Sequence, residues 1–382
     1  MNHALCASDV FIVGGGPAGL AAAIALRQVG YSVTVADPAL PPIDKACGEG
    51  IMPNGVRALA ELGVDLPPAL TVPFQGIRFL EGGLGVEARF QGAVGQGVRR
   101  TVLHDLLVRR AAETGVCLGW GVRVSGIAAD RVIVNGHGIR CRWIIGADGL
   151  NSSVRRWMGL PPGRERRRYG FRHHFPVAPW SEFVDVYWGD GFQIYVTPVT
   201  PQAVCVACIS SDPHLRLNDA LQAVPGLWGR LRHVEPISRE QGSMTLSRRL
   251  PQVCRGNVAL IGDASGSVDA ITGEGLALGF EQALALRDAL RGGALRRYQP
   301  THRALARWPG RMARLLLAMN DHPHFRRRVL HAFTADRSLF PRLLGMHTGA
   351  GPLADLGFGG AGSLVWNFLA APHGAPLKGR SL

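Results

Sequence analysis

The chain has 382 residues, 47% apolar and 18% charged, with a formal net charge of +14 and seven cysteines. Length and composition allow a sizeable core and two domains and exclude a disordered chain; the scattered, odd-numbered cysteines exclude a disulfide scaffold and predict reduced, cytoplasmic surroundings. Only Lys45 and Lys378 are lysine, so the positive charge is almost all guanidinium, which stays ionised and pairs well with phosphate and carboxylate.

The opening MNHALCASDV holds no lysine or arginine, and glycines interrupt the apolar stretch behind it, so no signal peptide is expected. Residues 10–13 predict a short buried strand. Gly14, Gly16 and Gly19 follow as GxGxxG, with Ala18 among them; LAAAIALRQVG then predicts a helix ending at Gly30, and YSVTVA a strand ending on Asp37. Gly14 permits a tight turn, Gly16 lets a pyrophosphate approach the backbone, Gly19 lets helix and strand pack closely, and Asp37 can accept from a ribose hydroxyl. The glycine spacing alone is weak, because Gly357, Gly359 and Gly362 repeat it with no strand before and no acid after; that copy reads as a loop. The first copy has every neighbour a dinucleotide needs, though the pattern leaves NAD and FAD open.

Next comes the loop DKACGEGIMPNG, residues 44–55, with Lys45, Cys47 and Glu49. By default Cys47 is an inert packing thiol and Glu49 a solvated turn acid. RTVLHDLLVRRA predicts a helix opening on Arg100. CRWIIGADG predicts a strand ending at Asp148 and Gly149, ahead of a helix start in NSSVRRWMGL. Arginines at 164, 166, 167, 168 and 172, and at 326–328, are the densest basic clusters. No nucleic-acid-binding motif accompanies them, so no nucleic-acid partner is expected. A solvated face comes first, an anionic cofactor second, and peripheral contact with an acidic membrane surface third.

FVDVYW, FQIYVTPV and AVCVACIS predict an antiparallel sheet, one face packed and one lining a pocket. Trp188, Phe192 and Tyr195 are candidate pocket walls for a small hydrophobic or aromatic substrate, with plain core as the commoner alternative. Cys205 and Cys208 form a CxxC, but residues three apart on a strand face opposite ways, so no metal site is expected. NVALI, residues 257–261, predicts a buried strand feeding the loop GDASGSVDAITGEG and then the helical LALGFEQALALRDAL; α/β proteins place their ligands at such strand-to-helix loops. RWPGRMARLLLAMN and FRRRVLHAF predict further helices, and SLVWNFLAA near the end is too short to span a bilayer.

In order, GxGxxG, the central GADG and the late GD loop resemble the flavoprotein superfamily that holds para-hydroxybenzoate hydroxylase, the geranylgeranyl reductases and the flavin halogenases. The resemblance covers about the first 290 residues. It implies a Rossmann-like (GR2-type) α/β FAD-binding domain with an antiparallel-sheet substrate domain and C-terminal helices. The motifs are spread out, so the FAD domain is expected to be discontinuous, from residues 1–73, 99–161 and 250–299; residues 74–98 and 162–249 would form the substrate domain and 300–382 a helical region. The resemblance implies FAD, with Gly262 and Asp263 at the ribityl chain and Thr272, Gly273, Glu274 and Gly275 at the isoalloxazine. It also sets Arg100, Asp148 and Gly149 at the cofactor, and the segment holding Lys45, Cys47 and Glu49 over the flavin, with Cys47 and Glu49 as candidate catalytic groups.

The TGEG of the late loop and the Cys-Gly at 47–48 resemble the reductases, and Gly266 stands where many hydroxylases carry histidine. Against this, GFQIYVTP lacks the tryptophan and phenylalanine of the reductase signature, and Ala270 replaces its usual proline. The halogenase WxWxIP is missing, and neither lysine can serve as that family's catalytic lysine. The balance favours an NAD(P)H-dependent monooxygenase hydroxylating a hydrophobic or aromatic metabolite, with NADH or NADPH as reductant. A reductase saturating prenyl double bonds is the alternative, and a non-catalytic flavin-binding protein is third. Substrate, nicotinamide and oligomeric state stay open.

Overall fold

The structure is a computed structural model that describes residues 7–160, 163 and 165–349. Arg164, the second glycine motif and SLVWNFLAA lie outside the described residues.

The first sheet grows around Ser8–Val13, whose residues from Val10 onward are almost wholly buried. That strand lies parallel to Val33–Asp37 on one side and His137–Gly146 on the other. Cys117–Trp120 and Val258–Leu260 extend the parallel sheet at either end, and Cys254–Arg255 closes one edge antiparallel. A parallel sheet covered on both faces needs continuous apolar strands, which is why VFIV, VTVA and WIIG carry so few polar residues. The first helix, Pro17–Gln28, begins three residues earlier than the sequence predicts, because Pro17 is preset for the first helical turn. It packs on the late helix Gly275–Arg291. Gly19 lets the same helix lie close against the turn behind the first strand: a Cβ there would sit 2.0 Å from the Gly14 carbonyl oxygen. Val124–Ala128 and Arg131–Val134 form a flap on the base of the long strand His137–Gly146.

The second sheet has eight strands in the order Gly266–Ser267, Gln241–Arg249, Glu165–Phe175, Ala203–Ser210, Phe192–Thr200, Val184–Trp188, Gly76–Glu81 and Leu84–Arg89. All its pairings are antiparallel except Val184–Trp188 with Gly76–Glu81. On its outer face Phe171, Phe175, Phe192, Ile194 and Val206 meet two short helices that the sequence reading did not foresee, Leu217–Gln222 and Pro225–Leu231. The inner face looks toward the first sheet and the C-terminal helices Arg307–Asp321, Pro323–Ala335 and Leu339–His347. A three-stranded sheet of Gly50–Ile51, Val72–Phe74 and Gly95–Gly97 joins the halves. No helix among the described residues is long and apolar enough to cross a membrane.

Candidate active site

One cavity of about 640 Å³ runs from the glycine turn, between the two sheets, to the C-terminal helices. At one end it meets Gly14, Gly16, Pro17, Ala18 and Asp37. Gly14 has φ +112°, a conformation glycine adopts freely, and a Cβ there would strike the Ala147 carbonyl. A Cβ on Gly16 would meet nothing within 4 Å, and no side chain caps the helix behind it. Free amides at a helix N-terminus beside open space fit a pyrophosphate. Asp37 accepts from the Gly15 amide at 2.7 Å, which aims its carboxylate over the turn. Arg100 opens its helix on the cavity wall with a buried Nε that has no partner, a donor suited to an anionic cofactor.

Gly149, Gly262 and Asp263 also line the cavity. Gly262 has φ +59°, and Asp263 pairs with Lys45 at 3.2 Å across the cavity. Thr272, Gly273 and Gly275 follow, the last opening a helix whose first turn has no side-chain cap. That end would stabilise negative charge on a ring system lying against it. Residues 262–275 are therefore no plain loop: two 3-10 turns, Gly262–Ser265 and Ala270–Thr272, flank a two-residue strand. The donors, the uncapped helix ends and the glycine cradle fit FAD.

Four expected site residues stand differently. Asp148 faces the cavity, but its oxygens accept from Ser152 Oγ and from the amides of Ser153 at 2.6 Å and Val154 at 3.2 Å, so it caps the helix Ser153–Trp157. The Glu274 carboxylate does not line the cavity; it is buried 3.2 Å from His347, and burial pushes its pKa well up. Phe192 points to the outer face of the second sheet, because strand residues alternate and Tyr195 takes the inner one. Trp188 is on the inner side but stands edge-on behind Phe79. Tyr195 does line the cavity, and its hydroxyl donates to the Ile271 carbonyl at 2.9 Å.

The largest departure concerns the arginines. On Glu165–Phe175 the even positions turn toward the cavity half, so Arg168 and Arg172, expected on a solvated face, are among the most fully buried side chains of the molecule. Each meets an acid from a cofactor-side loop. Arg168 donates to Asp269 at 3.2 Å, and Arg172 to Glu49 at 2.6 Å and Asp44 at 2.9 Å. Burial alone would disfavour the Arg172 charge; the Glu49 and Asp44 carboxylates more than offset it. His174, two residues on, lies 2.6 Å from the other Glu49 oxygen. Glu49 is therefore no solvated turn acid: it is buried, at φ +59°, and accepts from the Arg100 amide at 2.9 Å. Cys47 is half-buried on the cavity wall, its sulfur accepting from the Glu49 amide at 3.4 Å. Glu49, His174 and Cys205 come close enough to hold a metal ion. Arg172 already supplies the positive charge there, and burial pushes the Cys205 thiol well up, so the cluster is an ion-pair network. Cys208, as expected of a residue three along the strand, packs on the opposite face.

The far end of the cavity is apolar. Ile77, Phe79, Val184 and Val186 of the second sheet face Met312, Leu316, Phe340 and Leu344 of the C-terminal helices. The sequence marks those helices but carries no signal of where they dock.

Residues 7–291 match the family described as FAD binding domain. The chain belongs to that family of FAD-dependent oxidoreductases. It is 30% identical to the menaquinone reductase of Mycobacterium tuberculosis over 83% of this chain and 85% of that one. It is 29% identical to digeranylgeranylglycerophospholipid reductase 1 of Methanopyrus kandleri over 70% and 76%, and 26% identical to the FAD-dependent urate hydroxylase of Mycolicibacterium vanbaalenii over 74% and 79%. Among solved structures, a flavoprotein/dehydrogenase from Cytophaga hutchinsonii shares the fold, with a TM-score of 0.77 at 18% identity, covering 89% of this chain and 92% of that one.

Proposed function

We propose that this flavoprotein saturates a carbon–carbon double bond in a long lipophilic substrate of prenyl type, with NADH or NADPH as reductant. The observation that carries the proposal is the far wall of the cavity. Eight apolar side chains line it, and few polar groups near them are open: the Tyr195 hydroxyl donates to the Ile271 carbonyl and His347 Nε2 lies 3.4 Å from the Thr272 carbonyl, which leaves the buried His347 Nδ1 without a partner. A polar substrate group entering there would lose its water and find at most the one open nitrogen of His347, and each buried polar group left unmatched costs about 1–3 kcal/mol, whereas a hydrocarbon chain pays nothing. The resemblance of two relatives named as reductases of lipophilic molecules supports the same reading.

Bound FAD would supply hydride chemistry. The chain's own residues bind, orient and keep the site dry. Asp37 and the amides behind Gly16 would hold the ribose and pyrophosphate. Arg100 and the pair Lys45–Asp263 would hold the middle of the cofactor. Cys47, Gly48, Gly273 and Gly275 all line the cavity, and a substrate bond would lie between them and the apolar chamber. The C-terminal helices exclude water from that chamber.

Hydroxylation of a hydrophobic metabolite is the second reading, favoured by the urate hydroxylase among the relatives. One experiment separates them. FAD-loaded protein is mixed with NADPH or NADH and a panel of prenyl lipids, prenylated quinones and phenols, under argon and under air. The expected product is heavier by two hydrogens and forms without oxygen. A product heavier by one oxygen, formed only in air, would replace the reductase reading with hydroxylation.

A further inference from the structure

We propose that Ser238, His174 and Glu49 form a proton entry line through the second sheet, from solvent to the cavity wall. The proposal rests on the reading above in one respect: turnover consumes a proton inside the cavity, beside its apolar wall. Saturation breaks the π bond, and the reduced flavin gives a hydride to one carbon while a proton must reach the other. A chamber of aliphatic side chains offers none.

The three residues are in series. Ser238 is half-buried, between the exposed Ile237 and Arg239. Its hydroxyl is 3.0 Å from His174 Nδ1, and His174 Nε2 is 2.6 Å from Glu49 Oε2. His174 and Glu49 are both almost wholly buried, and Glu49 belongs to the cavity wall. The groups packed around the ring fix its tautomer. Arg99 Nη2 lies 3.4 Å from Nδ1 and a guanidinium only donates, so Nδ1 carries the lone pair and Nε2 the hydrogen. Arg172 Nη1 lies 3.3 Å from Nε2 and gives one of its two hydrogens to Glu49 Oε1 at 2.6 Å; the much shorter 2.6 Å contact between Nε2 and the acceptor-only carboxylate oxygen Oε2 is what needs the Nε2 hydrogen. Asp44 is engaged by Arg172, and the Cys205 thiol keeps its proton because burial disfavours the thiolate. His173, the neighbour on the strand, faces the other way toward Glu240 at 3.9 Å. A proton taken by Nδ1 from the Ser238 side lets Nε2 release its own to Glu49 and from there to the cavity; one enters and one leaves, and the neutral ring, left with its hydrogen on Nδ1, returns to the Nε2–H form before the next turnover.

The test has two arms. Nitrogen-15 histidine NMR on the apoprotein should find hydrogen on Nε2 and the lone pair on Nδ1 of His174, and Ser238→Val should shift Nδ1. In the FAD-loaded enzyme, His174→Phe should bind flavin with the wild-type spectrum yet turn over about 100-fold more slowly, with part of the rate restored by imidazole and with a larger solvent deuterium effect. An Nδ1–H tautomer overturns the line, as does full turnover in His174→Phe. A wild-type enzyme that transforms no substrate sinks the functional reading instead; the tautomer, read without cofactor or substrate, still decides the line.

Discussion

Arg172 shows what one residue does here. Its guanidinium, 2% exposed, bridges Glu49 and Asp44 and thereby ties the loop over the cofactor to the substrate-side sheet. Glu49 sits at a left-handed φ that costs a non-glycine residue on the order of 1 kcal/mol or more, so the ion pair holds a strained backbone. Removing one partner of a buried pair leaves the other charge desolvated, which costs about 3–5 kcal/mol. Arg172→Met should lower the free energy of unfolding by that amount, read as a urea midpoint lower by that energy divided by an unchanged m value. Adding Glu49→Gln to Arg172→Met should recover part of the loss, and a strictly additive double mutant would show that the two side chains do not interact. The sequence held the signal for this burial. Tyr169, Phe171 and Phe175 alternate with Arg168, Arg172 and His174, which is the period of a strand with one apolar and one ionic face. Charge density pointed to solvent, and what decided otherwise, three acids from distant loops, leaves no mark in the local pattern.

At the scale of the element, the strand–turn–helix at the N-terminus was legible to within a few residues. Its geometry forces glycine at fixed positions whatever else the chain does. Two of those glycines act for different reasons, and substitution separates them. At Gly19 a Cβ collides with the Gly14 carbonyl oxygen at 2.0 Å, so Gly19→Ala should push the first helix off its strand and destabilise the protein with or without cofactor. At Gly16, with φ −69° and nothing within 4 Å of a Cβ, alanine fits the apoprotein. Gly16→Ala should therefore leave the apoprotein melting temperature within the shift of about 0.5 kcal/mol expected of a neutral surface change, yet yield colourless protein with weakened flavin binding. Yellow Gly16→Ala protein of wild-type affinity would mean that the cofactor does not approach this turn. The late loop was less legible: its glycines and acids announced a ligand, whereas the spending of Asp148 on a helix cap and of Glu274 on His347 depends on neighbours that spacing cannot reveal.

At the scale of the whole molecule, the C-terminal helices were readable as helices from their apolar stripes, but periodicity names a face and not its partner. In the structure they wall the cavity, and the helix just before them is tied to the first-sheet half through His302. It lies on Tyr298–Leu305, with Nε2 3.2 Å from the Gln282 amide nitrogen and 2.9 Å from Ser265 Oγ; Gln282 in turn accepts from the Gly262 amide. Since the amide donates, Nε2 must keep its lone pair, and burial, helped by nearby Arg303, lowers the pKa from 6.5 to about 4. The native state therefore resists a proton that the unfolded chain takes up. Above pH 6.5 both states are neutral and the stability is fully present; as pH falls from 6.5 toward 4, the unfolded chain binds the proton first and stability is lost, by on the order of 3 kcal/mol across the window. In His302→Gln, which keeps a polar side chain but does not titrate, the urea midpoint should fall less over the same range, and the difference between the two proteins should stop changing below about pH 4. Because the strained contacts include Ser265 and Gly262, acid should also release flavin from the wild type before the fold is lost, seen as a rise in free-flavin fluorescence that His302→Gln delays. Parallel pH profiles for the two proteins would show that His302 does not couple this helix to the cofactor loop.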